Sequence, residues 1–153
     1  MMSLRVLQIG MDPNIIDFSP WPGQDAATLR TRIVAGEDAL RGTGLEVVTC
    51  PLSGDADAAE SAVAAHLADR GFDVIEIGAG LRTSHEYTLV FERVINTVAA
   101  LQPGVPVCFN DSPRRRWTPS AVVSDGTERK PRRVAGERTC PRRSGVRAHA
   151  SST

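Results

Sequence analysis

The stretch Asp73-Val74-Ile75-Glu76-Ile77-Gly78-Ala79-Gly80 decides the fold. It is a short, mostly apolar run that ends at glycines, and such runs are typical of strands buried in a parallel sheet. A similar run at residues 4–9 ends at Gly10, and further strands are predicted at residues 45–50 and 105–109. Each predicted strand is separated from the next by a segment long enough for a helix.

The segments between the strands carry apolar residues at helical spacing, which predicts three helices. Asp25 and Asp55 are the expected N-caps of the first two, and Thr83 with Glu86 forms a capping-box pattern before the third. This alternation predicts an α/β fold with a three-layer open parallel sheet of four strands. We expect the flavodoxin-like strand order 2-1-3-4.

The formal net charge of zero conceals two oppositely charged parts. Residues 1–112 hold 7 Arg and 15 acidic residues, a net charge of −8, whereas residues 113–153 hold 11 basic and 3 acidic residues, a net charge of +8. We therefore predict a flavodoxin-like α/β domain over residues 1–113 and a basic low-complexity tail over residues 114–153. Because 30 of the last 41 residues are Arg, Pro, Ser, Thr, Ala or Gly, we expect the tail to be disordered.

The composition of this tail is typical of GC-rich DNA translated out of frame. Proline at residue 113 is a good helix start, yet no apolar stripe follows it. We interpret residues 114–153 as the product of a shifted reading frame or a mis-set gene end; the alternative is a genuine disordered basic arm. Its arginines could contact nucleic-acid phosphates, but the acidic domain would repel them, so nucleic acid is an unlikely partner.

Several protein classes are excluded on sequence grounds. No apolar run approaches the roughly 20 residues of a membrane helix, and the first residues lack the pattern of a secretion signal. Cys50, Cys108 and Cys140 have no metal-ligand spacing, and scattered cysteines fit a reducing compartment. We expect a cytoplasmic protein with no membrane partner and no metal site.

The candidate site lies where the strand order reverses, because open parallel sheets bind ligands beyond the carboxyl ends of their strands. We expect an anionic small molecule there, namely a phosphate, a nucleotide or a carboxylate. The sequence identifies neither a cofactor nor a catalytic residue. The candidate ligand-binding residues are Asp12, Gly78, Gly80, Arg82, His85, Asn110 and Ser112.

The strongest local signal is Gly78-Ala79-Gly80 before a predicted helix start. Glycines let the backbone approach a ligand, a helix start offers unpaired N–H groups, and Arg82 and His85 add donors. The alternative is a tight turn with a solvated arginine. Asp12 and Asp17 could bind a cation or transfer protons, although an Asp-Pro pair is also ordinary turn chemistry.

A non-catalytic interaction or regulatory module is the competing function. Leu89 and Ile95 extend the apolar arc of the third helix beyond a single core stripe. A surplus apolar face often marks an oligomer contact, so this hypothesis predicts a homodimer.

The chain also resembles a family of small uncharacterised bacterial proteins with a flavodoxin-like or receiver-like core. The resemblance rests on four segments, at residues 6–13 with 16–18, 77–82, 91–93 and 109–113. It implies the fold but no reaction. In that family the last segment opens a final helix with an acidic start, which Arg114-Arg115-Arg116 replaces here. The chain differs from receivers because Gly78 follows strand 3, where a receiver carries its phosphorylated aspartate.

Overall fold

The structure is a computed structural model that describes residues 3–110. Its strands are β1 (Arg5–Met11), β2 (Glu46–Leu52), β3 (Val74–Ile77) and β4 (Val107–Phe109). Its α-helices are α1 (Ala26–Arg41), α2 (Ala56–Asp69), α3 (Ala79–Thr83) and α4 (Thr88–Leu101). Single 3₁₀ turns occupy Pro13–Ile15 and His85–Tyr87. The predicted tail lies outside the described residues.

The four strands form one parallel sheet in the order β2-β1-β3-β4, which confirms the predicted fold class and strand order. The central pair is in register from Val6 opposite Val74 to Ile9 opposite Ile77. Along the chain, β2 follows β1 and lies on one side of it, and β3 then lies on its other side. The direction in which strands are added to the sheet therefore reverses at β1. The carboxyl ends of β1 and β3 therefore lie side by side at the predicted edge.

The two faces of the sheet are covered by different helices, which confirms the three-layer arrangement. One face packs against α2 and α4, and its core includes Leu7, Ile9, Ile75 and Val94, all buried. The other face carries a smaller cluster of Val6, Leu40, Leu45, Val47 and Val74, in which Leu40 comes from α1.

Two predicted helix starts are confirmed by their caps. The carboxylate of Asp25 accepts a hydrogen bond from the Thr28 N–H at 2.6 Å, and that of Asp55 accepts one from the Ala58 N–H at 2.7 Å. Each satisfies a backbone donor that the first helical turn leaves without a partner.

The predicted start of the third helix at Thr83 is wrong. Thr83 ends the short helix α3, and its hydroxyl donates back to the Ala79 carbonyl at 2.8 Å instead of capping a following turn. Ser84 is extended, and the long helix α4 begins only at Thr88. Of the two residues of the capping-box pattern, Thr83 is therefore the last residue of α3, and Glu86 lies in the 3₁₀ turn before α4.

The predicted boundaries of the second strand also differ from the structure. We expected the strand to end at residue 50, but β2 continues through Pro51 to Leu52. This is possible because β2 lies at an edge of the sheet, where one side of the strand needs no ladder donors. Among the described residues, no helix has the length and apolar character needed to cross a membrane.

Candidate functional site

The carboxyl edge of the sheet brings several predicted residues together. Gly78 follows β3 directly and Asn110 follows β4, while Asp12 follows β1. Ser112 lies outside the described residues. The site was predicted from topology, and the observed strand order supports that placement of the loops.

Asn110 is the residue that connects the elements at this edge. Its side-chain oxygen accepts a hydrogen bond from the Ala79 N–H at 2.9 Å, at the start of α3. Its side-chain nitrogen donates to Oε1 of Glu76 at 2.8 Å, and its backbone N–H donates to the Ile77 carbonyl at 3.3 Å. One side chain thus joins the ends of β3 and β4 to the first turn of α3.

Glu76 is a buried acid that the sequence reasoning missed. Only 6% of its surface is exposed. Its Oε2 accepts a hydrogen bond from Nε2 of Gln8 at 2.9 Å, so each carboxylate oxygen faces an uncharged amide. The available signal was a polar residue in each of the two central strands, at the same register position. A polar residue in an apolar strand seldom lacks a hydrogen-bond partner.

Arg82 is exposed but held in place at the edge. Its Nη2 donates to the Asn110 carbonyl at 3.2 Å. Its guanidinium carbon lies 5.7 Å from the ring centroid of Phe109, within the range of a cation–π contact. The ring of Phe91 packs at a tilt against the same phenylalanine, with centroids 6.1 Å apart. The arginine head group therefore rests on a supported aromatic surface.

Neither backbone conformation nor close packing requires glycine at the two predicted positions of this edge. Gly78 has a negative φ of −67°, which any residue can adopt. A Cβ atom there would lie 3.5 Å from the Ile9 carbonyl oxygen, which is ordinary contact. A Cβ on Gly80 would meet nothing within 4 Å, so the surface above it is open. The Ala79 N–H, at the start of α3, donates to the Asn110 side chain.

The remaining predicted residues have separate surroundings. His85 is exposed in the 3₁₀ turn between α3 and α4. The carboxylate of Asp12 accepts from the Asn14 N–H at 2.9 Å and caps the first 3₁₀ turn. Hydrogen bonds from the hydroxyl and the N–H of Ser19 lower the pKa of Asp17. Both aspartates therefore stabilise the loop that follows β1.

A second concave surface lies at the start of α2 and was also missed. It is a cavity of about 370 Å³. Its residues are Gly54, Asp55, Ala56, Asp57, Glu86, Leu89, Val90 and Arg93. The guanidinium of Arg93 forms ion pairs with Asp57 and Glu60, so the cationic wall of the cavity is already neutralised by its neighbours.

The described cysteines do not have the surroundings of a nucleophile. Burial raises the pKa of the Cys50 thiol to about 11. Burial, followed by the charge of Glu76, raises the pKa of the Cys108 thiol to about 12. Both values oppose thiolate formation near neutral pH.

Metal-ligating side chains are dispersed in the described region. Between residues 3 and 110, no three His, Cys, Asp or Glu side chains come close enough to hold a metal ion. Comparison of the chain with protein-family models, curated proteins and solved structures finds no match. The geometry of the carboxyl edge is therefore the basis for proposing a function.

Proposed function

We propose that the carboxyl edge of the sheet binds a small anionic molecule through Arg82. The observation that carries this proposal is the exposed guanidinium held by the Asn110 carbonyl and the ring of Phe109. A guanidinium has five N–H donors, and Arg82 uses one of them in its described hydrogen bond. The others can make the paired contacts with carboxylate or phosphate that arginine favours.

The surroundings of Arg82 favour a ligand of small size and low charge. Gly80 leaves open surface on the same short helix. The acidic side chains of residues 1–112 give this part of the chain a net charge of −8. Their field opposes a polyanion such as nucleic acid and tolerates a ligand with one or two negative charges.

A thermal-shift series tests this function. The full chain is melted with inorganic phosphate, a nucleoside monophosphate, and mono- and dicarboxylates at low and high salt. Binding to the native state raises its stability by about 2.7 kcal/mol when the ligand is at 100 times its Kd. We expect a salt-sensitive rise in Tm with at least one ligand class. No shift with any of them would overturn the proposal.

A homodimeric interaction module is the second candidate. It is supported by the exposure of large apolar side chains: Leu89 is 59% exposed, Leu101 54% and Phe109 49%. Ile95, which we expected to widen the apolar arc, is partly buried against the core. Sedimentation of the full chain over a concentration range tests this function. A monomer at every concentration would remove it.

A further inference from the structure

An exposed aromatic ring lies beside the arginine at which we place the anion. Phe109 ends β4, and 49% of its surface is exposed although Phe91 packs against its ring. The guanidinium carbon of Arg82 lies 5.7 Å from the centroid of the same ring. The surface at this point therefore combines a charged group with an apolar one, and a ligand held by the guanidinium has the ring within reach.

The hydrogen bonds at this edge distinguish a carboxylate from a phosphate. Protein phosphate sites commonly use the backbone N–H groups at the start of a helix. Here α3 has only five residues, and the N–H of its first residue, Ala79, donates to the side chain of Asn110. A carboxylate needs no such backbone donors, because one guanidinium can pair with both of its oxygens.

The cations of the described region favour a ligand with a single charge. A phosphate monoester carries about 1.5 to 2 negative charges at pH 7, whereas a carboxylate carries one. Residues 3–110 contain no lysine. Every arginine of this range other than Arg82 pairs with an acid or donates to a side-chain amide, namely Arg5, Arg30, Arg32, Arg41, Arg70 and Arg93. The guanidinium of Arg82 matches one carboxylate.

We propose that the ligand of this site is an organic carboxylate with an apolar body, and that the ring of Phe109 selects for that body. This rests on the proposed function, because Arg82 supplies the charge that holds the carboxylate. Burial of apolar area against the exposed ring adds affinity that a bare carboxylate lacks. An aromatic body gains further from an offset or edge-to-face contact with the ring. Because Phe91 supports the ring, less conformational freedom is lost on binding.

Isothermal titration of the full chain with phenylacetate, acetate and phenyl phosphate tests the ligand class. Acetate keeps the carboxylate and lacks the ring, whereas phenyl phosphate keeps the ring and adds charge. We expect phenylacetate to bind about 10-fold more tightly than either. Equal Kd values for phenylacetate and acetate, or tightest binding of phenyl phosphate, would overturn this inference and leave anion binding at Arg82 in place. Binding of none of the three would overturn it too, and the thermal-shift series then decides separately on the proposed function.

Phe109→Ala tests whether the ring is the selecting group. Its loss should reduce the ratio of the acetate Kd to the phenylacetate Kd by about 3-fold or more. A general loosening of the edge would raise both Kd values and leave their ratio unchanged. Leu101→Ala is the matched control, since it removes another exposed apolar side chain, at the end of α4 and before β4 begins. It should keep the ratio, and an unchanged ratio in Phe109→Ala would overturn selection by the ring.

Amide NMR spectra of the unsubstituted chain keep the proposal testable if Phe109→Ala does not fold. At saturation, the ring of phenylacetate should shift the amide signal of Phe109 more than acetate does. The amide signal of Leu101 should stay in place with both ligands. Equal shifts of Phe109 with phenylacetate and acetate would contradict contact between the ligand body and the ring.

Discussion

Gln8 and Glu76 occupy the same register position on the two central strands, and Nε2 of the glutamine donates to Oε2 of the glutamate at 2.9 Å. Together with Asn110 the pair forms a polar chain that runs from β1 through β3 to the start of α3. The interior of the sheet is thereby connected to the edge at which we place the ligand.

Replacing Gln8 with leucine should destabilise the domain by about 1–3 kcal/mol. The substitution leaves one oxygen of a buried carboxylate without its donor, and the cost is the desolvation of that oxygen. Urea unfolding followed by circular dichroism measures the change. The double variant Gln8→Met with Glu76→Met is the control. It removes the carboxylate together with its Gln8 donor and should recover part of the loss, because the Asn110 amide then lacks its acceptor. A neutral Gln8→Leu would show that the pair contributes little to stability.

Charge reversal at Arg82 should remove anion binding and leave the fold intact. Arg82 is exposed, and the interactions of exposed arginines contribute little to folding. The thermal shift caused by the bound anion should disappear in Arg82→Glu, while Tm without ligand should stay within a few degrees. Arg70→Gln, in an exposed residue at the opposite end of the sheet, should retain the shift. If Arg82→Glu unfolds the protein, the role of the arginine is structural.

The strands and their order could be predicted because apolar runs and crossover handedness are local and general properties. The start of α4 could not be predicted. The extended backbone at Ser84 divides the segment after β3 into two helices, and the sequence pattern does not show that division. Asn110 was predicted from its place after a strand. Gln8 and Glu76 were missed because their partnership depends on register between strands 68 residues apart in sequence.

The described cysteines should react slowly with alkylating reagents. Burial raises the pKa of Cys108 to about 12 and that of Cys50 to about 11. The thiolate fraction near pH 8 is then lower than that of an ordinary thiol by about 1,000-fold and about 100-fold. Iodoacetamide labelling followed by mass spectrometry should show slow labelling of both in the native protein and fast labelling in denaturant. Rapid native labelling of either residue would contradict this.

Acid should weaken the first helix through its cap. The hydrogen bond from the Thr28 N–H lowers the pKa of Asp25 below its usual value of 3.8. The charged cap therefore stabilises the folded state above that value, and this contribution is lost as the pH falls through the lowered folded pKa. Asp25→Asn keeps a capping oxygen that does not titrate. Its Tm should fall less than that of the parent between about pH 5 and about pH 2.5. Parallel curves for the two proteins would argue against a titrating cap.

The strand order has a consequence for synthesis on the ribosome. β1 emerges first, yet it lies in the middle of the sheet between β2 and β3. Its two edges cannot both be paired until residue 77 has left the exit tunnel. During that interval an apolar strand has unpaired backbone groups, which is the condition that favours contact with other nascent chains and with chaperones. This protein therefore needs chaperones mainly during the first half of its translation.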